Sequence, residues 1–135
     1  MAGANSFHCS VVTPEEPVLE CEATFVAFPS HDGEVGVLVN RAPLVHKMGI
    51  GQLRVEAVEG EAKAFFVDGG FAQMVDNRLT LLTEQAIPVD ELSAEEARAD
   101  LDEALGARAS DEASFVERTK AIDRARAKLR LAPSG

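Results

Sequence analysis

The chain has 135 residues, enough for one ordinary domain or for a small domain with an appendage, and 46% are hydrophobic, so a packed core is expected. Its formal net charge of −10 repels a phosphate backbone and an anionic bilayer surface, which argues against nucleic acid and lipid headgroups as direct partners. The N-terminal stretch MAGANSFHCSVV lacks a basic residue and a long apolar core, and no apolar run reaches the roughly 18 residues of a membrane span, so we expect a protein that stays in a reducing cytosol.

The first 88 residues have the pattern of short β-strands. SFHCSVV and VLECEATFVAF are rich in β-branched and aromatic residues, and TPEEP between them predicts a turn with a proline on each side. The second run alternates with period two, which is typical of a half-buried strand. Its apolar face is predicted to carry Leu19, Cys21, Ala23 and Phe25.

Further strands are predicted for QLRVEAVEG, AKAFFV and RLTLLT, with the turn pair Asp76-Asn77 before the last of them. Gly33 and Gly36 are expected to adopt positive φ at a turn or a bulge. The segment Asp68-Gly69-Gly70 fits either a hairpin turn or a bulge. Short strands at this spacing indicate an antiparallel sandwich or barrel.

After Pro88 the period becomes helical. Ser93 with Glu96 three residues later predicts a capping box, and the apolar residues Ala94, Ala97, Leu101 and Leu105 follow at helical spacing up to Gly106. Ser110 or Asp111 can cap a second helix. The apolar stripe of that second helix is predicted to comprise Phe115, Thr119, Ile122, Ala125 and Leu129. The fold class is therefore a β-sandwich domain, residues 1–88, followed by an antiparallel α-helical hairpin, residues 89–135.

The two predicted helices carry opposite charge and thin, alanine-rich stripes. Since alanine buries little apolar area, we expect the hairpin to dock weakly and to have two accessible arrangements. The first helix is acidic, and the second is basic. The basic residues are Arg118, Lys120, Arg124, Arg126, Lys128 and Arg130. Either the two helices pair with each other, or the basic helix leaves its neighbour for an acidic partner surface.

The sequence shows little sign of catalytic chemistry. There is no nucleophile motif of the G-x-S-x-G type and no phosphate loop, and the histidines at positions 8, 31 and 46 are scattered without metal-ligand spacing. Cys9 and Cys21 are interpreted as reduced core thiols. Asp32 and Glu34 are interpreted as solvated turn residues. We therefore expect a protein that is not an enzyme and has no cofactor or metal, and a small hydrolase is the weakest of the functions considered.

Three segments together resemble a known family. SVVTPEEPVLECEA, GEVGVLVNRAPLV and FVDGGFAQMVDNRLTLLTEQA, followed by an alanine-rich charged hairpin, are similar to epsilon subunits of bacterial F-type ATP synthases, called delta in mitochondria, from about Phe7 to Leu131. The resemblance implies a β-sandwich of about ten strands and a two-helix hairpin. It also implies a non-catalytic rotor subunit of the central stalk, peripheral on the cytoplasmic face of the inner membrane and attached to the membrane only through the complex.

The resemblance implies partners and contact residues as well. The β domain would hold the gamma subunit and sit on the ring of c subunits, through a surface that includes Glu34, Arg41, Ala42, Pro43 and Leu44. The family usually has Gly-His before Ala-Pro-Leu, where this chain has Asn40-Arg41, so a permanent charge replaces a titratable one. The hairpin would inhibit ATP hydrolysis when extended. Its six basic residues would then face acidic segments of the beta subunits, within the alpha and beta assembly.

Some family members bind ATP through an Ile/Leu-Asp-x-x-Arg-Ala motif at the start of the first helix. In this chain the aspartate is Asp90, but Ser93 stands where the arginine should be. The letters Ile122 to Ala127 also fit the motif, but on the wrong helix. We therefore expect Asp90 to be a vestige of the motif and ATP binding to be absent or no tighter than millimolar.

A second hypothesis keeps the fold but not the complex. In it the chain is a stand-alone adaptor whose basic C-terminal helix binds an acidic protein partner. Copurification separates the two hypotheses, because only the rotor subunit would bring down gamma and the c-ring.

Overall fold

A computed structural model describes residues 5–133 of the chain. It divides the chain into two compact units, Met1–Pro88 and Val89–Gly135, and each is considered by itself. The first unit is a β structure and the second is helical. Within the described part of the chain, no helix combines the length and the apolar character that crossing a bilayer requires.

The described residues of the first unit form nine strands, joined into one hydrogen-bonded sheet. The strands are β1 Phe7–Val12, β2 Pro17–Ser30, β3 Gly33–Val37, β4 Leu44–Lys47, β5 Ile50–Ala57, β6 Ala62–Asp68, β7 Phe71–Val75, β8 Arg78–Leu82 and β9 Ala86–Pro88. Their order is β4-β7-β8-β1-β2-β5-β6-β9, with β3 paired to β2. The β1–β8 pair is parallel, and the other pairs are antiparallel.

Strand β2 joins the two layers of the sandwich. Its first half pairs with β1, and its second half pairs with β5 and β3. A register shift against β5 lies between Ala23 and Phe25, which bends the strand where it passes from one layer to the other. If the halves of β2 are counted separately, the strands number about ten, as the resemblance implies. The predicted sandwich fold is confirmed.

The same bulge changes which residues of β2 face the core, so one residue of the predicted apolar face is misplaced. Because an extra residue reverses the alternation, Val26 and Phe28 are buried after the bulge, while Phe25 is only half-buried. Phe25 instead lies under the Arg54 guanidinium, whose central carbon is 5.9 Å from the ring centroid. The prediction for Phe25 was therefore wrong, whereas Ala23 is buried as predicted.

The core lies between the two layers and takes its large side chains from both. The largest fully buried side chains of this unit include Phe7, Phe28, Leu53, Met74, Leu79 and Leu81. The predicted alternation of β5 is confirmed, since Leu53 and Val55 are buried and Arg54 and Glu56 are not.

The turns follow the local chemistry of their residues. Asp76 and Asn77 have φ of 50° and 59°, as the tight turn of the β7–β8 hairpin requires, so the predicted turn is confirmed. Asp68-Gly69-Gly70 is not a hairpin turn, because β6 and β7 pair with other strands. Gly33 has the expected positive φ, of 131°, but Gly36 does not. A side chain at Gly36 would press on the Phe25 ring, which explains the glycine.

The second unit begins with a 3-10 helix, Val89–Glu91, followed by α1, Ala94–Gly106, and α2, Glu112–Leu131. The Ser93 hydroxyl accepts from the Glu96 N–H at 3.2 Å, so α1 starts as predicted. The complete capping box, however, belongs to α2. There Asp111 accepts from the Ser114 N–H at 2.7 Å, and Ser114 Oγ accepts from the Asp111 N–H at 3.2 Å.

The helices pack through small residues. Ala97, Ala104, Ile122 and Ala125 are buried, whereas Leu105 and Phe115 are 44% and 58% exposed. Thr119 is exposed as well, so the predictions that Leu105, Phe115 and Thr119 belong to the apolar stripes were wrong. Phe115 lies in the first turn of α2, where the helical spacing holds but the side chain stays exposed.

Candidate functional site

A six-residue loop, residues 38–43, connects β3 to β4 and is here called the contact loop. Asn40 has φ of 63°, a conformation that asparagine tolerates better than most residues. Its N–H donates to Asn77 Oδ1 at 2.7 Å, and Asn77 Nδ2 donates to Asn40 Oδ1 at 3.1 Å. Since Asn77 is in the β7–β8 turn, these two bonds pin the contact loop to the end of that hairpin.

The contact loop presents most of the predicted contact residues to solvent. Arg41, Ala42 and Pro43 are exposed, and Leu38 beside them is 60% exposed. Leu44 departs from this pattern, because it begins β4 and is half-buried against the core of the sandwich. Leu44 therefore supports the loop from below, while the three residues before it form the exposed surface.

A second set of exposed apolar side chains continues this surface. Val45, Phe71, Val75 and Leu82, here called the outer face, point away from the core on β4, β7 and β8 and are 71%, 53%, 39% and 50% exposed. The strand register places Phe71 opposite Leu82. Together with Gln73 and Thr80, which lie between them in the register, these side chains make the face a candidate interaction site.

Basic residues border the outer face. Lys47 lies opposite Phe71 in the register, and Arg78 lies opposite Val75. Both side chains are exposed. Because Asn77 binds the contact loop and Arg78 follows it, the loop and the outer face meet at this hairpin end.

Sequence reasoning missed the outer face, although the signal was present. In FAQMV, Ala72 and Met74 are buried, while Phe71 and Val75 on the opposite face are also large and apolar. A half-buried strand normally alternates apolar with polar residues, so two large apolar residues on either side of Gln73 make the outer face a candidate for contact with a partner.

Glu34 lies on β3 rather than on the contact loop. Its Oε1 is 3.3 Å from Arg54 Nη2 on β5, and both side chains are largely exposed. Glu34 is therefore a surface carboxylate in an ion pair within the sandwich, and such exposed pairs contribute little to stability.

His8 on β1, the strand next to Arg78 in the same sheet, lies between two carboxylates. His8 on β1 lies opposite Arg78 on one side and Glu22 on the other. Its Nδ1 is 3.0 Å from Glu22 Oε2, and its Nε2 is 3.1 Å from Glu20 Oε1. The hydrogen bonds to Glu22 and then Glu20 raise the pKa of His8 above 6.5, because they favour the doubly protonated ring.

In the helical unit the basic residues of α2 divide into two groups. Arg118, Arg124 and Lys128 are half-buried, and Arg124 and Lys128 line an open cleft between the helices together with Asp100 and Glu103 of α1. The exposed group comprises Lys120, Arg126 and Arg130. The sequence left open whether the basic residues pair with α1 or bind a partner. The half-buried group fits pairing with α1, and the exposed group is available to a partner.

Comparison with known proteins decides the family. A family model described as "ATP synthase, Delta/Epsilon chain, beta-sandwich domain" matches residues 6–89. The ATP synthase epsilon chain of Rhodopirellula baltica is 46% identical over 125 residues, which are 93% of this chain and 97% of the relative. The chain belongs to the ATP synthase epsilon chain family. The epsilon chain of Desulfitobacterium hafniense strain DCB-2 is 39% identical over 95% of this chain and 90% of its own length.

Solved structures support the fold of this epsilon-family chain. A chain of the Euglena gracilis mitochondrial ATP synthase, in a structure described as OSCP/F1/c-ring, superposes with a TM-score of 0.80, covering 93% of this chain and 80% of that chain at 24% identity. A chain from a Tetrahymena thermophila mitochondrial ATP synthase structure of the central stalk and c-ring gives a TM-score of 0.70, with 93% and 96% covered at 14% identity.

Two positions of this chain, Asp90 and Ser93, correspond to the aspartate and the arginine of the ATP motif found in some epsilon chains. Asp90 is exposed on the 3-10 helix. The Ser93 hydroxyl, where those relatives have arginine, accepts the Glu96 N–H and caps α1. A neutral hydroxyl in this role supplies no positive charge for a phosphate.

The cysteines of this epsilon-family chain lie opposite each other on β1 and β2. Cys9 is fully buried, and burial raises the pKa of its thiol to about 12, so it stays protonated and is a poor nucleophile. Burial also raises the pKa of Cys21. Among residues 5–133, no three His, Cys, Asp or Glu side chains are grouped so that they could hold a metal ion.

Proposed function

We propose that the chain is a non-catalytic central-stalk subunit of a proton-translocating F-type ATP synthase, in which it couples the gamma subunit to the c-ring. The observation that carries this proposal is the relation to the Rhodopirellula baltica epsilon chain, which spans 93% of this chain and 97% of the relative. Because this similarity covers nearly the whole chain, it includes residues of both the β unit and the helical unit. The subunit is then peripheral, on the cytoplasmic face of the inner membrane, and held there by the complex.

The outer face and the contact loop are the proposed docking surface for gamma and the c-ring. Four exposed apolar side chains around Gln73 and Thr80 supply apolar area that a protein interface can remove from water. The basic residues Lys47, Arg78 and Arg41 lie at its border, so the partner surface is expected to place carboxylates opposite them.

A docking experiment tests this proposal with full-length chains. Phe71→Glu or Val45→Glu places a charge on the outer face and is expected to weaken copurification with gamma and the c-ring by about 100-fold or more, since an apolar contact is lost and a carboxylate is buried. Val58→Glu is the matched control, because Val58 is 42% exposed on the turn between β5 and β6. Equal binding by all three variants would contradict the docking surface. Copurification with neither partner would favour the adaptor hypothesis.

The helical hairpin is the proposed inhibitory element. Its interface is built mainly of alanine, so little apolar area is lost when the helices part from their folded arrangement. When the hairpin extends, the exposed residues Lys120, Arg126 and Arg130 can meet acidic segments of the beta subunits without giving up a partner in α1. ATP hydrolysis by the assembled complex is then slowed.

A further inference from the structure

The Arg118 side chain crosses from α2 to the end of α1. Its Nε donates to the Ala107 carbonyl oxygen at 3.1 Å, and its Nη2 donates to the Leu105 carbonyl oxygen, also at 3.1 Å. Arg118 is half-buried as a residue, and both hydrogen bonds are exposed to solvent. One guanidinium therefore donates to two carbonyl oxygens that lie on either side of Gly106, the last residue of α1.

These carbonyls need such a donor. The last carbonyls of a helix have no partner within the helix, and the helix dipole makes that end negative. The last turn of α1 contains no basic residue of its own. Arg118 supplies the missing positive charge from the other helix, so it caps α1 only while the two helices stay folded together.

We propose that Arg118 is the latch of the folded hairpin and sets how often the hairpin opens. The other contacts of the hairpin are made mainly by small buried residues with Ile122, and by charged residues of both helices that line an open cleft between them. Because alanine burial contributes little, the two hydrogen bonds of Arg118, together with the charge pairing across the cleft, are a large share of what keeps the helices together.

The latch gives Arg118 a role opposite to that of the exposed basic residues. Removing Lys120, Arg126 or Arg130 takes away attraction to a partner and leaves the folded hairpin intact. Removing Arg118 frees the end of α1 and shifts the population toward the open hairpin. This second step rests on the proposed inhibitory function, whereas the effect of Arg118 on the hairpin itself does not.

Hydrogen exchange on the isolated full-length chain tests the latch. In Arg118→Ala, amide exchange in the last turn of α1 and in the segment 107–111 is expected to be roughly tenfold faster, as loss of two hydrogen bonds to a partly exposed charged donor implies. Arg118→Lys keeps the charge but loses the planar fork and should fall between Arg118→Ala and the unmodified chain. Arg126→Ala removes the same charge from an exposed site on the same helix and should leave this exchange unchanged.

The same variants are then titrated into the epsilon-depleted complex, and ATP hydrolysis is measured. Faster exchange with stronger inhibition in Arg118→Ala supports both the latch and the inhibitory hairpin. Faster exchange with unchanged hydrolysis supports the latch and overturns the inhibitory role. Exchange in Arg118→Ala equal to that in Arg126→Ala overturns the latch, whatever the rate of hydrolysis. Circular dichroism at the helix band confirms that α2 is still formed in each variant.

Discussion

Gly70 shows how one residue constrains the junction of β6 and β7. Its φ is 104°, and a Cβ at this position would collide with the Leu82 carbonyl. We expect Gly70→Ala to destabilise the sandwich by about 3 kcal/mol or more, because backbone strain and a clash with backbone atoms add together.

Gly60→Ala is the matched control for this prediction. Gly60 also has positive φ, of 84°, but nothing lies within 4 Å of an added Cβ, so only the strain of about 1–2 kcal/mol remains. The chain has no Trp or Tyr, so urea unfolding is best followed by the NMR methyl signals of core residues such as Leu79. Equal destabilisation by the two variants would show that the collision with Leu82 has no effect.

His8 makes the sandwich sensitive to pH. Because Glu22 and Glu20 raise its pKa in the folded state, its contribution to stability is complete below pH 6.5 and is lost as pH rises through the higher folded pKa. Desolvation of the imidazole opposes this rise in pKa but does not reverse it. An NMR titration of the imidazole should therefore give a pKa above 6.5 that falls in the double variant Glu20→Gln, Glu22→Gln. A value at or below 6.5 in the unmodified chain would contradict the role of the two carboxylates.

At the scale of elements, we expect the residues at the start of α1 to prevent ATP binding. Calorimetry with the full-length chain is expected to show no binding tighter than millimolar, because Ser93 caps α1 instead of offering a cation. Ser93→Arg restores the charge and should strengthen binding at least tenfold, despite the loss of the cap. Micromolar binding by the unmodified chain would show that Ser93 is not what prevents it.

Helix starts were predictable from the sequence because N-caps are local. Ser93 and Asp111 each act through atoms a few residues away, so a short stretch of sequence contains the whole signal. Which residues of a strand or helix face the core was less predictable. Phe25 lies beyond a bulge that depends on the pairing of β2 with β5, whereas Phe115 has the helical spacing of the stripe and is nevertheless exposed. The error at Phe25 therefore arises from a strand pairing that is distant in the sequence.

The candidate site was predicted only where a continuous segment forms it. Arg41, Ala42 and Pro43 are consecutive, and the structure presents them together on the contact loop. The outer face combines Val45 with Phe71 and Leu82 through strand pairing, which no local pattern specifies. Similarly, the hydrogen bonds of Arg118 to Leu105 and Ala107 depend on how the helices pack.

At the scale of the whole molecule, docking and inhibition should be separable. Replacing Lys120, Arg126 and Arg130 together by alanine is expected to relieve inhibition of ATP hydrolysis severalfold, because attraction to an acidic surface is lost, while binding to gamma stays the same. Hydrolysis assays measure the inhibition, and copurification on the same complex measures the binding to gamma. Undiminished inhibition would show that these charges do not face the catalytic subunits.

The parallel pairing of β1 with β8 has a consequence for the order of synthesis. β1 is made first, but one of its two neighbours is β8, which begins at Arg78, so one edge of β1 stays open until about 80 residues have been made. An unpaired strand edge invites pairing with another chain. A nascent chain halted before Arg78 is therefore expected to aggregate, whereas one halted after Pro88 has every strand of the sheet and leaves only the hairpin unmade.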